Sequence, residues 1–157
     1  MNMHSFDLLL NSPDQTVDLA TKLALRLHPG DILLLEGEIG AGKTHFASAV
    51  IHALMDPIDD VPSPTFTLIQ VYDTSAGEVW HADLYRLHSA DECIELGLSE
   101  AFETAICLVE WPAKLKELTP PHALHLRLTD DQGDDTRQLR LCWSDPRWQE
   151  KLADLTS

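Results

Sequence analysis

Eight consecutive residues, Gly37 to Thr44, combine glycines with a lysine and a threonine at fixed spacing. They fill the pattern Gly-x-x-x-x-Gly-Lys-Thr. Glycines allow the backbone to adopt positive φ and to come close to phosphate oxygens, so that successive N–H groups converge on the anion. The lysine adds a positive charge near the outer phosphates of a nucleoside triphosphate, and the threonine offers a hydroxyl to magnesium. We therefore predict a phosphate-binding loop, or P-loop, made of Gly37, Glu38, Ile39, Gly40, Ala41, Gly42, Lys43 and Thr44.

The segments on either side of this loop are those that phosphate binding requires. Ile32 to Leu35 is a compact apolar run, short enough to be a buried strand, and it ends just before the loop. Apolar residues then recur at helical spacing, at Phe46, Ala47, Val50, Ile51 and Leu54. The amino-terminal end of such a helix attracts phosphate. This context argues against a chance match. In the absence of a nucleotide, we expect Lys43 to face solvent.

Two carboxylates are candidates to help bind magnesium, which prefers oxygen ligands. Glu110 comes directly after the apolar run Ala105 to Val109, as a Walker B acid should. Asp83 lies near the end of another predicted strand, Glu78 to Tyr85. Asp83 has an alternative role as a cap or as an ion-pair partner of Arg86, and Glu110 has one as a surface acid. Either carboxylate is also a candidate to orient a water molecule for hydrolysis.

Two further residues are placed where they could contact a nucleotide. Thr65 lies in the segment Ser63-Pro64-Thr65-Phe66, which two prolines stiffen. A threonine in such a loop can reach the γ-phosphate or its magnesium, as a switch threonine does in GTPases, although a structural turn is the alternative. Trp111 follows Glu110 directly. It could lie over the nucleotide site, face a partner protein or belong to the core.

Short apolar or alternating runs predict the strands. Thr65 to Tyr72 and Glu78 to Tyr85 read as an antiparallel pair, and a second hairpin carries an acidic tip, Asp130 to Asp135, that is either a docking surface or a solvated turn. The remaining predicted strands are an edge strand at Phe6 to Leu10, the buried runs Ile32 to Leu35 and Ala105 to Val109, and the hairpin strands Ala123 to Leu128 and Gln138 to Cys142.

Helical periodicity and capping residues predict the helices. The first begins with Ser12 as N-cap, Pro13 in the first turn and Gln15 in a capping box, and it stops before His28-Pro29-Gly30-Asp31. The others are the helix after the P-loop, a short helix at Asp91 to Leu98 capped by Ser89, and a weak terminal helix at Arg147 to Leu155.

Composition limits the classes of partner. The chain has 157 residues, which fits a single domain over residues 1–157 with a weak helix from about residue 145. Eleven basic residues against 26 acidic ones give a net charge of −15, which repels nucleic-acid backbones and indicates either solubility alone or a basic partner protein. Three widely spaced cysteines, no signal peptide and no apolar run long enough to span a bilayer favour a cytoplasmic protein.

Four motifs occur in order along the chain: the P-loop, Ser63-Pro64-Thr65-Phe66, His81-Ala82-Asp83-Leu84-Tyr85-Arg86 and Val109-Glu110-Trp111-Pro112. With these motifs the chain resembles the bacterial TsaE (YjeE) family of small P-loop ATPases over roughly residues 6 to 142. The resemblance implies an α/β fold of the P-loop NTPase type, a three-layer sandwich with a mixed, mostly parallel sheet and antiparallel additions. It also implies a role in forming threonylcarbamoyladenosine at position 37 of tRNAs that read codons beginning with A.

The resemblance further implies cofactors, partners and residue roles. The cofactors are ATP and Mg²⁺, and the partners are the TsaD and TsaB proteins, through which tRNA is reached only indirectly. Thr44 and Glu110 correspond to magnesium ligands, and Asp83 to an acid that either binds magnesium or positions water. Thr65 corresponds to the switch-like threonine and Trp111 to the motif tryptophan. The region from Ser12 to Thr16 and the residue Arg137 border the base.

The expected reaction is hydrolysis of ATP to ADP and phosphate, with Lys43, Asp83 and Glu110 as its catalytic residues. No arginine is obviously placed as a finger, so we expect slow hydrolysis that a partner stimulates. One alternative is a nucleotide-dependent binding module in which occupancy and not hydrolysis matters. A small-molecule kinase is another, although the arginines form no lid-like cluster. A GTPase is disfavoured because the chain has no Asn-Lys-x-Asp motif.

Overall fold

The computed structural model of the protein describes residues 3–38, 41–55, 69–130 and 136–155. The strands of these residues are β1 (His4–Leu10), β2 (Ile32–Glu36), β3 (Ile69–Thr74), β4 (Gly77–Asp83), β5 (Ile106–Glu110), β6 (Leu124–Asp130) and β7 (Arg137–Trp143). The helices are α1 (Pro13–Ala24), α2 (Lys43–Leu54), α3 (Asp91–Glu95), α4 (Leu98–Thr104) and α5 (Arg147–Lys151), with a 3₁₀ segment at Pro112–Leu118.

The strands form one mixed sheet in the order β1-β7-β6-β2-β5-β4-β3. Its centre is parallel, because β2 pairs in parallel with both β5 and β6, and β5 pairs in parallel with β4. Antiparallel strands extend it on both sides: β7 and β1 beyond β6, and β3 beyond β4. The carboxyl ends of β2, β4, β5 and β6 therefore meet at one edge of the sheet, which is where ligands bind in open α/β sheets.

Helices cover both faces of this sheet, as the alternation of residues along β2 shows. Leu33 and Leu35 enter a core shared with α1, α2 and α5, whereas Ile32 and Leu34 enter a core shared with α3 and α4. All four side chains have 0% exposure. A parallel strand buried on both faces reads as an uninterrupted apolar run, which is why this segment has no polar alternation. The predicted three-layer α/β fold is confirmed.

Local signals placed the first two helices correctly. Oγ of Ser12 accepts a hydrogen bond from the backbone N–H of Gln15 at 3.2 Å, and Pro13 begins α1. Oε1 of Gln15 reaches back to the N–H of Asn11 at 2.8 Å, so the reciprocal bond falls one residue before the cap. The apolar stripe predicted for α2 is buried at every position: Phe46, Ala47, Val50, Ile51 and Leu54.

Other boundaries differ from prediction. The helix predicted over Asp91 to Leu98 begins at Asp91 but already ends at Glu95, because Gly97 adopts φ 84° and separates α3 from α4. Ser89 is not the cap; Ala90 occupies that position and makes no side-chain cap. The strand predicted to reach Tyr85 ends at Asp83, and α5 is shorter than predicted. The acidic tip at residues 131–135 lies outside the described residues. Within the described residues, every helix is too short or too polar to cross a membrane.

Candidate functional site

The predicted phosphate-binding loop joins the carboxyl end of β2 to the first turn of α2. Gly42 is the N-cap of α2 and adopts the left-handed conformation, with φ 105° and ψ 14°. A Cβ built on Gly42 meets no atom of the described residues within 4 Å, so the glycine is required by the backbone conformation and not by close packing against those residues. Ile39 and Gly40 lie outside the described residues.

The first glycine of the loop has a different physical reason. Gly37 adopts φ 150°, and a Cβ built on it would lie 2.6 Å from the carbonyl oxygen of Leu128 on β6. Real Cβ atoms do not approach backbone oxygens this closely, so Gly37 allows the loop to pass against the neighbouring strand. The loop then turns through a hydrogen bond from the N–H of Ala41 to the carbonyl of Glu38 at 3.0 Å.

The side chain of Lys43 is buried, with 5% exposure, and the expectation that it faces solvent is wrong. Its Nζ donates to the carbonyl oxygens of Gly37 at 2.7 Å and Glu38 at 2.9 Å. Burial lowers the pKa of Lys43, while the charges of Glu110 and Asp83 oppose that shift. The loop thus turns its own carbonyls toward the ammonium group and satisfies it internally.

Trp111 lies beside this lysine. Its ring centroid is 4.3 Å from Nζ of Lys43, which is a cation–π contact, and 4.9 Å from the ring of Tyr85. The backbone of Trp111 is left-handed, with φ 60° and ψ 53°, directly after the last residue of β5. That sharp turn at the strand end carries the half-buried ring over the loop, so Trp111 is not a plain core residue.

Glu110 is the central carboxylate of the site. Its Oε1 accepts a hydrogen bond from the hydroxyl of Thr44 at 2.7 Å. Its Oε2 accepts one from Nε2 of His81 at 2.7 Å. Glu110 has 2% exposure, so its alternative as a surface acid is wrong. His81 is a residue that sequence reasoning missed as a partner of Glu110; the available signal was its place two residues before Asp83 on the same strand face.

Asp83 lies at the end of β4, and its Cα is paired with that of Glu110 in the parallel register of β4 and β5. Its Oδ1 accepts from the backbone N–H of Tyr85 at 3.1 Å, which closes a local turn. Burial raises the pKa of Asp83, and the nearby charge of Glu110 raises it further. Within residues 69–130, no ion pair joins Asp83 to Arg86.

These side chains border two cavities that meet at the start of α2. One, of about 320 Å³, is lined by residues that include Lys43, Thr44, Asp83, Glu110 and Trp111. The other, of about 350 Å³, is lined by residues that include Pro13, Thr16, Ala41 and Arg137. Both cavities are lined by Gly42 and His45. The second one brings together the region after Ser12 and Arg137.

Arg137 lies next to the loop without belonging to it. Its Nε donates to the carbonyl of Ala41 at 3.2 Å and is 3.1 Å from a carboxylate oxygen of Asp130. The structure therefore gathers Lys43, Thr44, Asp83, Glu110 and Trp111 around one cavity and places Arg137 beside the next. Thr65 lies outside the described residues.

The oxygens at this site fit a magnesium ion. Mg²⁺ takes octahedral ligands at about 2.0–2.1 Å, so two neighbouring ligand oxygens lie about 2.9 Å apart. The oxygens of Thr44 and Glu110 are 2.7 Å apart. Within the described ranges, no cluster of three or more His, Cys, Asp or Glu side chains could hold a metal by itself. Magnesium typically takes few protein ligands, with phosphates and water completing its shell, so this sparse set suits it.

Comparison with known proteins identifies relatives of this chain. A tRNA threonylcarbamoyladenosine biosynthesis protein TsaE from Rickettsia felis is 42% identical over 121 residues, which are 77% of this chain and 71% of that protein. The protein of the same name from Bacillus subtilis is 38% identical over 129 residues, covering 82% of this chain and 79% of the relative. The crystal structure of Bacillus subtilis YdiB superposes with a TM-score of 0.81 at 29% identity, covering 99% and 96% of the two chains.

The model of a single protein family spans most of the structure described above. It covers residues 10–139, from the end of β1 to the middle of β7, and its description is "Threonylcarbamoyl adenosine biosynthesis protein TsaE". The loop, Asp83, Glu110, Trp111 and Arg137 all lie within this span. Because the match covers well over half of the chain and the relatives exceed 30% identity over most of their length, the chain belongs to the TsaE family.

Proposed function

We propose that the protein binds Mg·ATP and hydrolyses it in support of tRNA threonylcarbamoyladenosine formation. The family description and the names of the relatives support the process. One observation carries the chemistry: the hydroxyl of Thr44, in the first turn of α2, lies 2.7 Å from the buried carboxylate of Glu110. In P-loop NTPases, a nucleotide-bound magnesium ion is held by the hydroxyl of the loop and by an acidic residue that follows a neighbouring strand. Thr44 and Glu110 provide this pair of groups at the start of α2, where phosphate is expected to bind.

In the proposed function, the loop holds the phosphates. Backbone N–H groups at the start of α2 are directed toward the cavity, and the helix dipole favours negative charge there. Lys43 exchanges the carbonyls of Gly37 and Glu38 for phosphate oxygens when ATP binds. Its charge then stabilises the phosphoryl group as it transfers.

Glu110 and Asp83 have different roles in the proposed function. Glu110 and Thr44 would hold magnesium, which would supply positive charge close to the phosphate oxygens. Asp83 lies across the strand pair from Glu110, and burial has already raised its pKa. A carboxylate in that setting is suited to accept a hydrogen bond from the attacking water and to orient it. Hydrolysis gives ADP and inorganic phosphate.

Two features favour slow turnover by the isolated protein. Arg137 is engaged by Ala41 and Asp130, and Arg86 is exposed to solvent. Arginine fingers contribute about 10³–10⁵ to the rate in proteins that use them. We therefore propose that the TsaD–TsaB complex stimulates hydrolysis, and that ATP turnover supports repeated transfer of the threonylcarbamoyl group by that complex.

The adenosine part of ATP has a candidate cavity on this protein, whereas tRNA is reached through the partner proteins. The cavity between Pro13, Thr16 and Arg137 adjoins the loop, and we assign it to the adenosine part of ATP. A net charge of −15 opposes direct contact with an RNA backbone, so tRNA is reached through the partner proteins.

Phosphate release from ATP tests this proposal, measured for the protein alone and with purified TsaD and TsaB. We expect Mg-dependent hydrolysis that the partner complex accelerates. Glu110→Gln keeps the size of the side chain and a carbonyl oxygen that can accept from Thr44, while its amide group can donate to Nε2 of His81 in the other tautomer. It should therefore fold and bind ATP but lose at least about 100-fold in hydrolysis. Equal rates with and without partners would contradict partner stimulation.

Reconstituted tRNA modification with the same variant separates hydrolysis from occupancy. If Glu110→Gln binds ATP and the partners but supports no repeated modification, hydrolysis is the function. Full modification by this variant would instead identify a nucleotide-dependent binding module. A wild-type protein that shows no association with Mg·ATP, even with TsaD and TsaB present, would contradict the proposal as a whole.

A further inference from the structure

The imidazole of His81 lies beneath the candidate site and contacts its central carboxylate. His81 has 0% exposure, and its Nε2 is 2.7 Å from Oε2 of Glu110. A carboxylate that binds magnesium only accepts hydrogen bonds, so in that role of Glu110 the proton of this bond is on Nε2 and His81 is the donor. The other oxygen of Glu110 accepts from Thr44. A continuous chain of hydrogen bonds therefore runs from the interior of the sheet to the first turn of α2.

Strand register produces this chain. In the parallel pair of β4 and β5, His81 is opposite Leu108 and Asp83 is opposite Glu110. Residues two apart on a strand share a face, so His81 and Asp83 project to the same side as Glu110. Asp83 lies at the level of Glu110, and His81 lies one step deeper in the sheet. Glu110 thus has Asp83 as its neighbour on the adjacent strand, and His81, two residues before Asp83, as its hydrogen-bond donor.

The pairing carries a cost that packing alone does not explain. Nδ1 of His81 is buried and has no hydrogen-bond partner among the described residues. Buried polar atoms are nearly always paired, and one left unpaired destabilises a fold. An apolar side chain of similar volume would fill the same space without leaving such an atom. The imidazole is therefore better explained by what Nε2 does than by its contribution to the core.

We propose that His81 is a positioning residue for Glu110. Its Nε2–H fixes Oε2 and so holds the carboxylate in the rotamer that presents Oε1 to Thr44 and to the magnesium ion. The inference rests on the proposed function, since that function supplies the ion. A glutamate side chain has three rotatable bonds, and holding it before the ion arrives removes an entropic cost from binding. Partners of metal-binding carboxylates act in this way in other proteins.

Two amide substitutions test the assignment against each other. In His81→Gln the amide nitrogen reaches the position of Nε2 and can still donate to Glu110. In His81→Asn the amide nitrogen reaches only the position of Nδ1, so the bond to Glu110 is lost while polarity is kept. The measurement is the dissociation constant for ADP by calorimetry, once with Mg²⁺ and once with EDTA. The ratio of the two constants reports the contribution of the ion without requiring turnover.

We expect the ratio of the ADP dissociation constants in EDTA and in Mg²⁺ to be similar in wild type and His81→Gln. In His81→Asn this ratio should be about 10- to 100-fold smaller, because magnesium then improves ADP binding less. Binding in EDTA depends on the loop and should be similar in all three proteins. Equal ratios in the two variants would overturn the assignment, because a donor at the Nε2 position would then make no difference. A wild-type protein that binds no ADP under either condition would instead contradict the proposed function and the inference with it.

A second measurement needs no variant to fold equally well. In wild-type protein with ¹⁵N-labelled histidine, the Nε2–H resonance of His81 should shift when Mg²⁺ is added to the ADP complex. The shift is expected because the ion draws charge from Glu110 and weakens it as an acceptor. ADP in EDTA should leave the resonance in place. An unchanged resonance would overturn the inference, because the bond between Nε2 and Glu110 would then be insensitive to the ion that it is proposed to help bind.

Discussion

The ammonium group of Lys43 lies 4.3 Å from the centre of the Trp111 ring while it donates to two carbonyls of its own loop. The lysine that would bind phosphate is thus held from three sides before any nucleotide arrives. To reach a phosphate, Nζ must leave Gly37 and Glu38 and move relative to the ring. The fluorescence of Trp111 should therefore depend on the position of the Lys43 ammonium group.

We expect Mg·ATP to change the tryptophan fluorescence of the wild-type protein and to cause little change in Trp111→Phe. A cation near an indole ring alters its emission, so moving Nζ away should be visible. Trp143→Phe is the matched control, because Trp143 is on β7 and its ring stacks on His4, away from the loop. The expectation is wrong if Trp111→Phe keeps the full change and Trp143→Phe loses it.

Lys43→Met should weaken binding of Mg·ATP by about 10- to 100-fold, since a hydrogen bond to a charged group contributes about 1.5–3 kcal/mol. The unfolding free energy should change by no more than about 1 kcal/mol, because methionine fills the buried space without the desolvation that lowers the lysine pKa. Calorimetry and urea denaturation measure the two quantities. Lys114→Met is the control: Lys114 donates to Leu87 at 3.3 Å and is not a residue of the loop, so its loss should leave ATP affinity unchanged.

The elements around the loop could be predicted from the sequence because their signals are local. The apolar run Ile32 to Leu35 and the stripe of α2 each span one element, and both were confirmed. The break between α3 and α4 could not be predicted from periodicity, since it depends on Gly97 taking a left-handed conformation that sequence permits but does not require.

The contacts inside the site were harder to predict because they join distant segments. His81 and Glu110 are 29 residues apart, and their bond depends on the register of β4 against β5. Lys43 was expected to face solvent because lysine usually does. Its burial depends on carbonyl directions in a loop whose path Gly37 sets against β6. The residue types in the sequence indicated a phosphate and magnesium site. The hydrogen bonds of Glu110 and Lys43 depend instead on strand register and on the direction of the loop carbonyls, which the sequence does not reveal.

The two glycines of the loop should respond differently to alanine. Gly37→Ala places a Cβ 2.6 Å from the Leu128 carbonyl at φ 150°, so we expect a loss of about 1–3 kcal/mol in unfolding free energy. In Gly42→Ala the new Cβ meets no atom within 4 Å in the part of the chain that the structure describes, and the variant carries the strain of φ 105°, so its loss should be smaller. Its methyl group instead occupies the space where phosphate approaches, and nucleotide affinity should fall more. Urea denaturation should therefore show the larger loss for Gly37→Ala, and ATP titration the larger loss for Gly42→Ala. If the same variant were the more impaired in both assays, this prediction would be wrong.

Asp83→Asn should increase stability at neutral pH while lowering hydrolysis by at least about 100-fold. Burial raises the pKa of Asp83 in the folded state above its ordinary value of 3.8, so the ionised carboxylate opposes folding. Wild type therefore loses stability as pH rises through the folded pKa, and asparagine, which does not titrate, does not. Asparagine can still accept from the N–H of Tyr85. The advantage of the variant should disappear below about pH 3.8, where wild type is protonated in both states.

The opposite sign is expected for Asp7, which provides the control for that experiment. A hydrogen bond from Arg140 lowers the pKa of Asp7 in the folded state. The ionised form thus favours folding, and wild type should be more stable than Asp7→Asn near neutral pH. This difference should decrease as pH falls through the lowered pKa. Denaturation curves between pH 3 and 8 measure both variants, and a stability difference of the same sign in both would contradict the assignments.

The last helix should contribute to the core even though no sequence motif marks it. Trp148 on α5 has 0% exposure, and its Nε1 donates to the carbonyl of His122 at 2.7 Å. Asp31, which precedes β2, forms ion pairs with Arg147 and Lys151 of the same helix. The helix is therefore fixed to the base of the strand that leads into the P-loop.

We expect Trp148→Ala to lower the unfolding free energy by about 3–5 kcal/mol, through lost apolar contact and an unpaired carbonyl. Gln149→Ala, one residue further on the exposed side of α5, should change it by less than about 0.5 kcal/mol. Both variants should bind Mg·ATP normally where they are folded, because α5 meets β2 at the end opposite to the loop. A Trp148→Ala protein as stable as wild type would show that α5 is not part of the core, whereas reduced ATP affinity in a fully folded variant would indicate that α5 acts on the site.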